Sequence, residues 1–293
     1  MANNPELAKQ RAETFKDALK RAEKSLSAIA AKHITPERLT KVALGAATRN
    51  PQLLECTPAS LVRAIMQGAE LGLEPGSALN HAYLVPFKNT KTNPACWEAQ
   101  LIVSAQGMAE LAYRSGLVSF ISVEVVYDGD LFEYEQGLDP KLRHVPSDMT
   151  VDPEKITHAY MVVGLKDGSK VFRVMGRKAL DRIKARSNAV KNGRFSPWDS
   201  DAAEMYRKTV AKNGFKYVPK SIEMARAIAL DNAQETGDDS FLEFDIPEAL
   251  PQSAEMIHEE EEHKPTATEQ IKQKVKEQNK GLLEGIEGGS KEE

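Results

Sequence analysis

Between residues 74 and 175 the chain is cut into short β-prone runs by turn signals, with one helix-length segment among them. Runs at 156–165 and 170–175 close on Asp167-Gly168, a dipeptide suited to the positive φ of a tight hairpin. Runs at 79–87 and 96–103 flank a polar loop at 88–94 and read as a second hairpin. Runs at 120–127 and 131–135 stand on either side of Asp128-Gly129-Asp130, another tight-turn sequence. Glu74-Pro75-Gly76 opens the region, with proline suited to the second position of a turn and glycine to the third. Strands joined in this way argue for an antiparallel sheet and against a doubly wound one.

Helical signals surround these strands. Residues 5–32 read as one long charged helix whose apolar positions are Leu7, Phe15, Leu19, Leu26 and Ile29. Thr35-Pro36 and Thr57-Pro58 each set a hydroxyl N-cap before a proline at the first helical position. The second of these helices carries Leu61, Ile65, Met66 and Ala69 along one face and stops near Gly72. A helix at 106–115 ends at Gly116, and three more follow at 177–187, 199–213 and 220–233. The expected class is α+β, an antiparallel sheet built from hairpins and flanked by N-terminal and C-terminal helices. The expected division is a helical segment at 1–34, a core at 35–235 and an acidic tail at 236–293. That tail holds few large apolar residues and is expected to be disordered, apart from a weak helical pattern at 268–280.

The net charge of −4 hides a partition. Residues 166–226 hold 16 Lys and Arg against 6 Asp and Glu, a net +10. Residues 227–293 hold 6 against 18, a net −12. A basic block followed by an acidic tail points to a polyanionic partner. Within the block, Lys178, Arg182 and Arg186 repeat at i, i+4 and i+8 beside Leu180 and Ile183. Lys208 and Lys212 repeat the spacing, with Arg207 adjacent. The loop between holds Lys191, Arg194, Phe195 and Trp198, and Lys216, Tyr217 and Lys220 come after. Cationic rows with interleaved aromatics are what sequence-tolerant binding of single strands requires. Solvated helix faces are the competing reading, with Phe172, Tyr206 and Phe215 as core residues. Trp198 is expected to contact the nucleic acid or to brace its groove. Asn213-Gly214 is expected to end the helix of Lys208, which would take Lys216 off that row.

Other chemistries find little support. No phosphate-binding G-x-x-x-x-G-K-[ST] loop is present. The six histidines never pair at metal-ligand spacing, and Cys56 and Cys96 read as reduced thiols. Asp128 and Asp130 could share a metal but read as turn residues, and Asp152, Glu154 and Lys155 resemble a scrambled nuclease triad in a loop. With no membrane-length apolar run and no hydrophobic signal region at Met1 to Glu6, a cytoplasmic location without membrane contact is expected.

At this point the residues resemble a known family. Leu71-Gly72-Leu73-Glu74-Pro75-Gly76-Ser77-Ala78-Leu79, followed by Ala82-Tyr83-Leu84-Val85-Pro86-Phe87, is similar to the opening signature of phage RecT annealing proteins. So are Gln100-Leu101-Ile102 leading to Gly107, then Glu110-Leu111-Ala112 and Arg114-Ser115-Gly116. Ser196-Pro197-Trp198, Met205, Lys208-Thr209, Lys216-Tyr217, Pro219 and Ser221 continue the match. One departure is that the family usually has an aromatic and a basic residue before the glycine matched by Gly107, where this chain has Ala105 and Gln106.

The resemblance implies a protein that binds single-stranded DNA and pairs it with its complement to an annealed duplex, without ATP and without catalysis. It implies assembly into rings or filaments beside a 5′-to-3′ exonuclease and a host single-strand binding protein. It implies no required cofactor, with Mg²⁺ influencing DNA binding. The candidate DNA-binding residues are Lys178, Arg182, Arg186, Lys191, Arg194, Trp198, Arg207, Lys208, Lys212 and Lys216, with Gln100 and Arg114 added on the matched motifs. A passive single-strand binding protein and a metal-dependent nuclease remain as rival readings.

Overall fold

Ala22 divides the N-terminal helix into α1 (Pro5–Arg21) and α2 (Glu23–Ile29). Phe15, Leu19 and Leu26 are buried, so the apolar row faces the interior across the break. The computed structural model describes residues 5–236 except residues 32, 93 and 148–151; the expectations for the tail beyond 236, including the helical pattern at 268–280, lie outside the described residues.

The two Thr-Pro pairs start α3 (Pro36–Arg49) and α4 (Pro58–Leu71). Thr35 Oγ1 accepts from Arg38 N–H and Thr57 Oγ1 from Ser60 N–H, each at 3.3 Å. These bonds satisfy amides that have no partner inside the helix. The sequence gives α4 one apolar face, yet it is buried nearly all round, Ser60 and Gln67 included. The reason is its company: α1, α2 and α3 pack on it, together with a strand and a helix from later in the chain. A helix apolar on every side belongs in a core. It ends at Gly72, whose φ is +65°.

A turn through Asn80, itself at φ 55°, leads to β1 (Ala82–Asn89), so the strand starts later than its apolar run. β2 (Cys96–Val103) returns antiparallel with Ala82 opposite Val103 and Leu84 opposite Leu101, all four buried. Ala99 N–H donates to Ser60 Oγ at 2.9 Å, which fastens this hairpin to α4. Ser104 then caps α5 (Ala105–Arg114).

The remaining strands are β3 (Val118–Tyr127), β4 (Leu131–Glu135), β5 (Lys141–Val145), β6 (Ile156–Leu165) and β7 (Lys170–Gly176). They form an antiparallel sheet in the order β3-β6-β7 and a separate β4-β5 hairpin. Asp128-Gly129-Asp130 therefore does not join two paired strands. β4 pairs with β5 instead, a run in which only Leu142 and Val145 are apolar and which the sequence pattern does not reveal.

Five helices complete the described residues: α6 (Arg177–Lys184), α7 (Asn188–Lys191), α8 (Pro197–Ser200), α9 (Ala202–Phe215) and α10 (Ile222–Thr236). α9 lies on β3, β6 and β7, while α10 reaches back to α4, α5 and β2. A single cluster of buried apolar side chains runs from Phe15 to Leu230 and joins these parts. Among the described residues, no helix is long and apolar enough to cross a membrane.

Two glycines test this packing. A Cβ at Gly107 would lie 2.1 Å from the carbonyl oxygen of His81, a backbone atom that cannot swing away. Gly107→Ala is expected to destabilise the fold by about 1–3 kcal/mol or more. Gly45, in α3, has only ordinary contact space at 3.5 Å, so Gly45→Ala should be neutral or stabilise by up to about 1 kcal/mol. Urea denaturation of both variants measures the difference, and equal midpoints would contradict the close approach at Gly107.

Candidate nucleic-acid interface

α9 runs through Asn213-Gly214 to Phe215, past the point where glycine suggests an end. Gly214 serves packing instead: a Cβ there would stand 2.5 Å from Met161 Sδ on β6. Lys216 consequently follows Lys208 and Lys212 along one side of the helix and its C-cap. Arg186, in the turn after α6, and Lys191, at the end of α7, join these three lysines in lining a groove of about 620 Å³. Ile183, Trp198, Met205 and Thr209 contribute the less polar lining.

Five cations thus converge where the lining supplies one carboxylate, Asp231 of α10. Asp231 is only 8% exposed and forms an ion pair with Lys212 Nζ. Lys216 Nζ donates to Asn232 Oδ1 at 2.7 Å. No local spacing in the sequence marks Asp231 or Asn232, because these contacts cross from α10 to α9. Although the Lys208 side chain reaches solvent, the protein around it, and after that Lys212, hold its ammonium below the ordinary lysine pKa, with Asp231 acting the other way. An anion entering the groove would relieve that repulsion.

The other candidates stand elsewhere. α6 ends at Lys184, so Lys178, Arg182 and Arg186 do not form one helical row; Lys178 and Arg182 are exposed outside the groove lining, as is Arg194. Arg207 turns to the opposite side, paired with Glu204 and Glu124. Trp198 is 5% exposed, with its ring centroid 5.6 Å from that of Tyr206 in an edge-on contact. Its ring is largely enclosed on the wall of the groove. Gln100 sits on β2 opposite Val85, away from the groove.

A family model described as RecT family matches residues 37–243. Protein RecT of Escherichia coli is 43% identical over 209 residues, which make up 71% of this chain and 76% of that protein. The chain belongs to the RecT family. That places it among DNA-binding proteins of recombination and strand annealing. Two of the stretches that resemble the RecT signature also meet in space. Arg114 Nη1 donates to the carbonyl oxygen of Gly72 at 2.8 Å, and His33 Nε2 lies 3.1 Å from the same atom. Arg114 is further paired with Glu110 at 2.8 Å. It therefore closes the end of α4 rather than facing the groove.

Three of the carboxylates weighed for metal chemistry, Asp130, Asp152 and Glu154, have structural duties. Asp130 accepts from the N–H groups of Tyr127 and Ser147, each at 2.8 Å, and from His144 Nε2 at 3.1 Å. His144 Nδ1 in turn lies 3.1 Å from the Tyr160 hydroxyl, which ties the β4-β5 hairpin to β6. Asp152 accepts from Glu154 N–H, and Glu154 pairs with Arg177. Among the described residues, no group of three or more His, Cys, Asp or Glu could hold a metal ion.

Burial works against the Asp130 charge, but the hydrogen bonds from Ser147, Tyr127 and His144 outweigh it and bring the pKa down to about 2. A carboxylate with a depressed folded pKa stabilises above its unfolded value of 3.8 and loses that contribution as pH falls through about 2. The contribution is on the order of 2 kcal/mol at neutral pH. Asp130→Asn should therefore be clearly less stable than the parent at pH 7, with the gap narrowing between pH 4 and pH 2. Denaturant titrations at several pH values measure it, and a constant gap would show that the carboxylate charge is not what matters.

Proposed function

We propose that this chain binds single-stranded DNA along the groove of Arg186, Lys191, Lys208, Lys212 and Lys216 and pairs it with its complement, making and breaking no covalent bond. The convergence of those five cations from three separate elements carries the reading. Membership of the RecT family narrows the polyanion to DNA and the task to annealing. Neutralised phosphates let two like-charged strands approach. Stacking of correct pairs then supplies about 1–2 kcal/mol per step, so the duplex itself drives the reaction and the protein reads no sequence. No nucleotide cofactor is required, and Mg²⁺ modulates binding by competing for phosphate. Copies of the chain assemble on DNA as a ring or filament in the cytoplasm, beside a 5′-to-3′ exonuclease that supplies strands and a host single-strand binding protein.

Annealing of two complementary oligonucleotides, followed by fluorescence transfer, tests the reading. The protein should accelerate pairing without ATP, and the triple variant Arg186→Gln, Lys191→Gln, Lys208→Gln should lose most of that effect. Its log–log dependence of affinity on salt should flatten by about 2, at roughly 0.7 per phosphate contact removed. Asp231→Asn, which releases Lys212, should shift affinity the opposite way. Tight binding with no acceleration would make the protein a passive binder, and cleavage of labelled DNA with Mg²⁺ or Mn²⁺ would make it a nuclease.

The acidic tail is proposed to lie outside the annealing machinery. A chain truncated after Thr236 should fold and anneal in vitro at least as well as the full chain. Loss of annealing with an intact circular dichroism spectrum would assign the tail to DNA binding.

A further inference from the structure

Among the described residues that line the groove, the one aromatic side chain is Trp198, which is 5% exposed. A second concavity, of about 390 Å³, adjoins it at the last turn of α9. Lys170, Phe172, Arg173 and Tyr217 line it in part. Tyr217 is 62% exposed, and the Arg173 guanidinium carbon stands 5.1 Å from its ring centroid. Arg173 Nε donates to Asn213 Oδ1 at 2.9 Å. Asn213 lines the basic groove, and so does Lys216, the residue before Tyr217. The two sites therefore share the end of α9 as a common wall.

A guanidinium over one face of a tyrosine ring stiffens the ring and covers that face. Its anchor, Asn213, holds the pair in a fixed place beside the lysine row. Phe195 is more exposed still, but it lines neither site.

We infer that Tyr217, backed by Arg173, is a stacking platform for an unpaired base of the strand whose phosphates follow Lys208, Lys212 and Lys216. The inference rests on the groove being the single-strand site. Stacking engages the flat face of a base and leaves its pairing edge free, so a base held at Tyr217 is restrained yet still open to an incoming complement. The platform would accept any base, because every base has such a face.

Two probes of equal length separate the parts: an oligo-dT and an abasic strand with the same number of phosphates. Tyr217→Ala should weaken binding of oligo-dT by about 5-fold or more, the low end of one base–aromatic stack. It should leave abasic binding within about 2-fold, and Tyr217→Phe, which keeps the ring, should restore most of the loss. A 2-aminopurine placed in the oligo-dT should be quenched on binding to the parent and less so on binding to Tyr217→Ala. Equal weakening of both probes would make Tyr217 a brace and overturn the inference. So would no change with either probe, while weaker abasic binding by Lys191→Gln, Lys208→Gln would keep the groove standing. If that lysine variant also binds both probes unchanged, the groove reading fails and the platform with it.

Discussion

The seating of α9 on the sheet is the contact on which the remaining features depend. Tyr206, Val210 and Phe215 of that helix are buried, and Gly214 lets its last turn come down onto Met161. With that face committed, helical geometry leaves Lys208 and Lys212 pointing the other way, and Lys216 follows at the cap. Tyr206 extends the same constraint sideways. Its hydroxyl donates to Asp181 at 2.8 Å, Arg177 lies over its ring, and Trp198 meets its edge, so α6 and α8 are positioned by one buried tyrosine. The basic groove is thus the outer surface of a well-packed element.

Concentrating cations has an electrostatic cost, and α10 offsets part of it. A buried carboxylate alone would be strongly unfavourable, and so would Lys212 pressed against Lys208 with nothing opposite. Set together, each makes the other tolerable, which is why removing one member of such a pair generally costs several times the value of the pair. The arrangement leaves Arg186, Lys191 and Lys208 at the exposed rim while Lys212 and Lys216 are held by α10.

Features governed by short-range chemistry are legible in the sequence. Thr35, Thr57 and Gly72 act through bonds within a few residues of themselves, and each is where the pattern puts it. Asp167-Gly168 closes its hairpin for the same reason. What the sequence conceals is set by contacts between distant segments. Gly214 looks like a stop until Met161 is brought against it. Trp198 reads from its loop as a groove residue, and its burial edge-on against Tyr206 shows only once α8 and α9 are packed. β5 is too polar and too short to declare itself before β4 pairs with it. Of the site, Lys208 and Lys212 are readable as a row, whereas Lys216 rejoins it only because α9 runs on through Gly214, and Asp231 depends on a helix that returns from the far end of the core.

The carbonyl of Gly72 has a consequence for how such a chain can drift. It receives Arg114 from α5 and faces His33 from the segment before α3, so three stretches meet at one oxygen. That oxygen belongs to the backbone, and no substitution can delete it. Variation can enter only through the two donors, and because there are two, the loss of either leaves the acceptor served. The junction between α4 and the hairpin that follows is in this sense redundant, with a built-in tolerance that a pair of side chains facing only each other would lack.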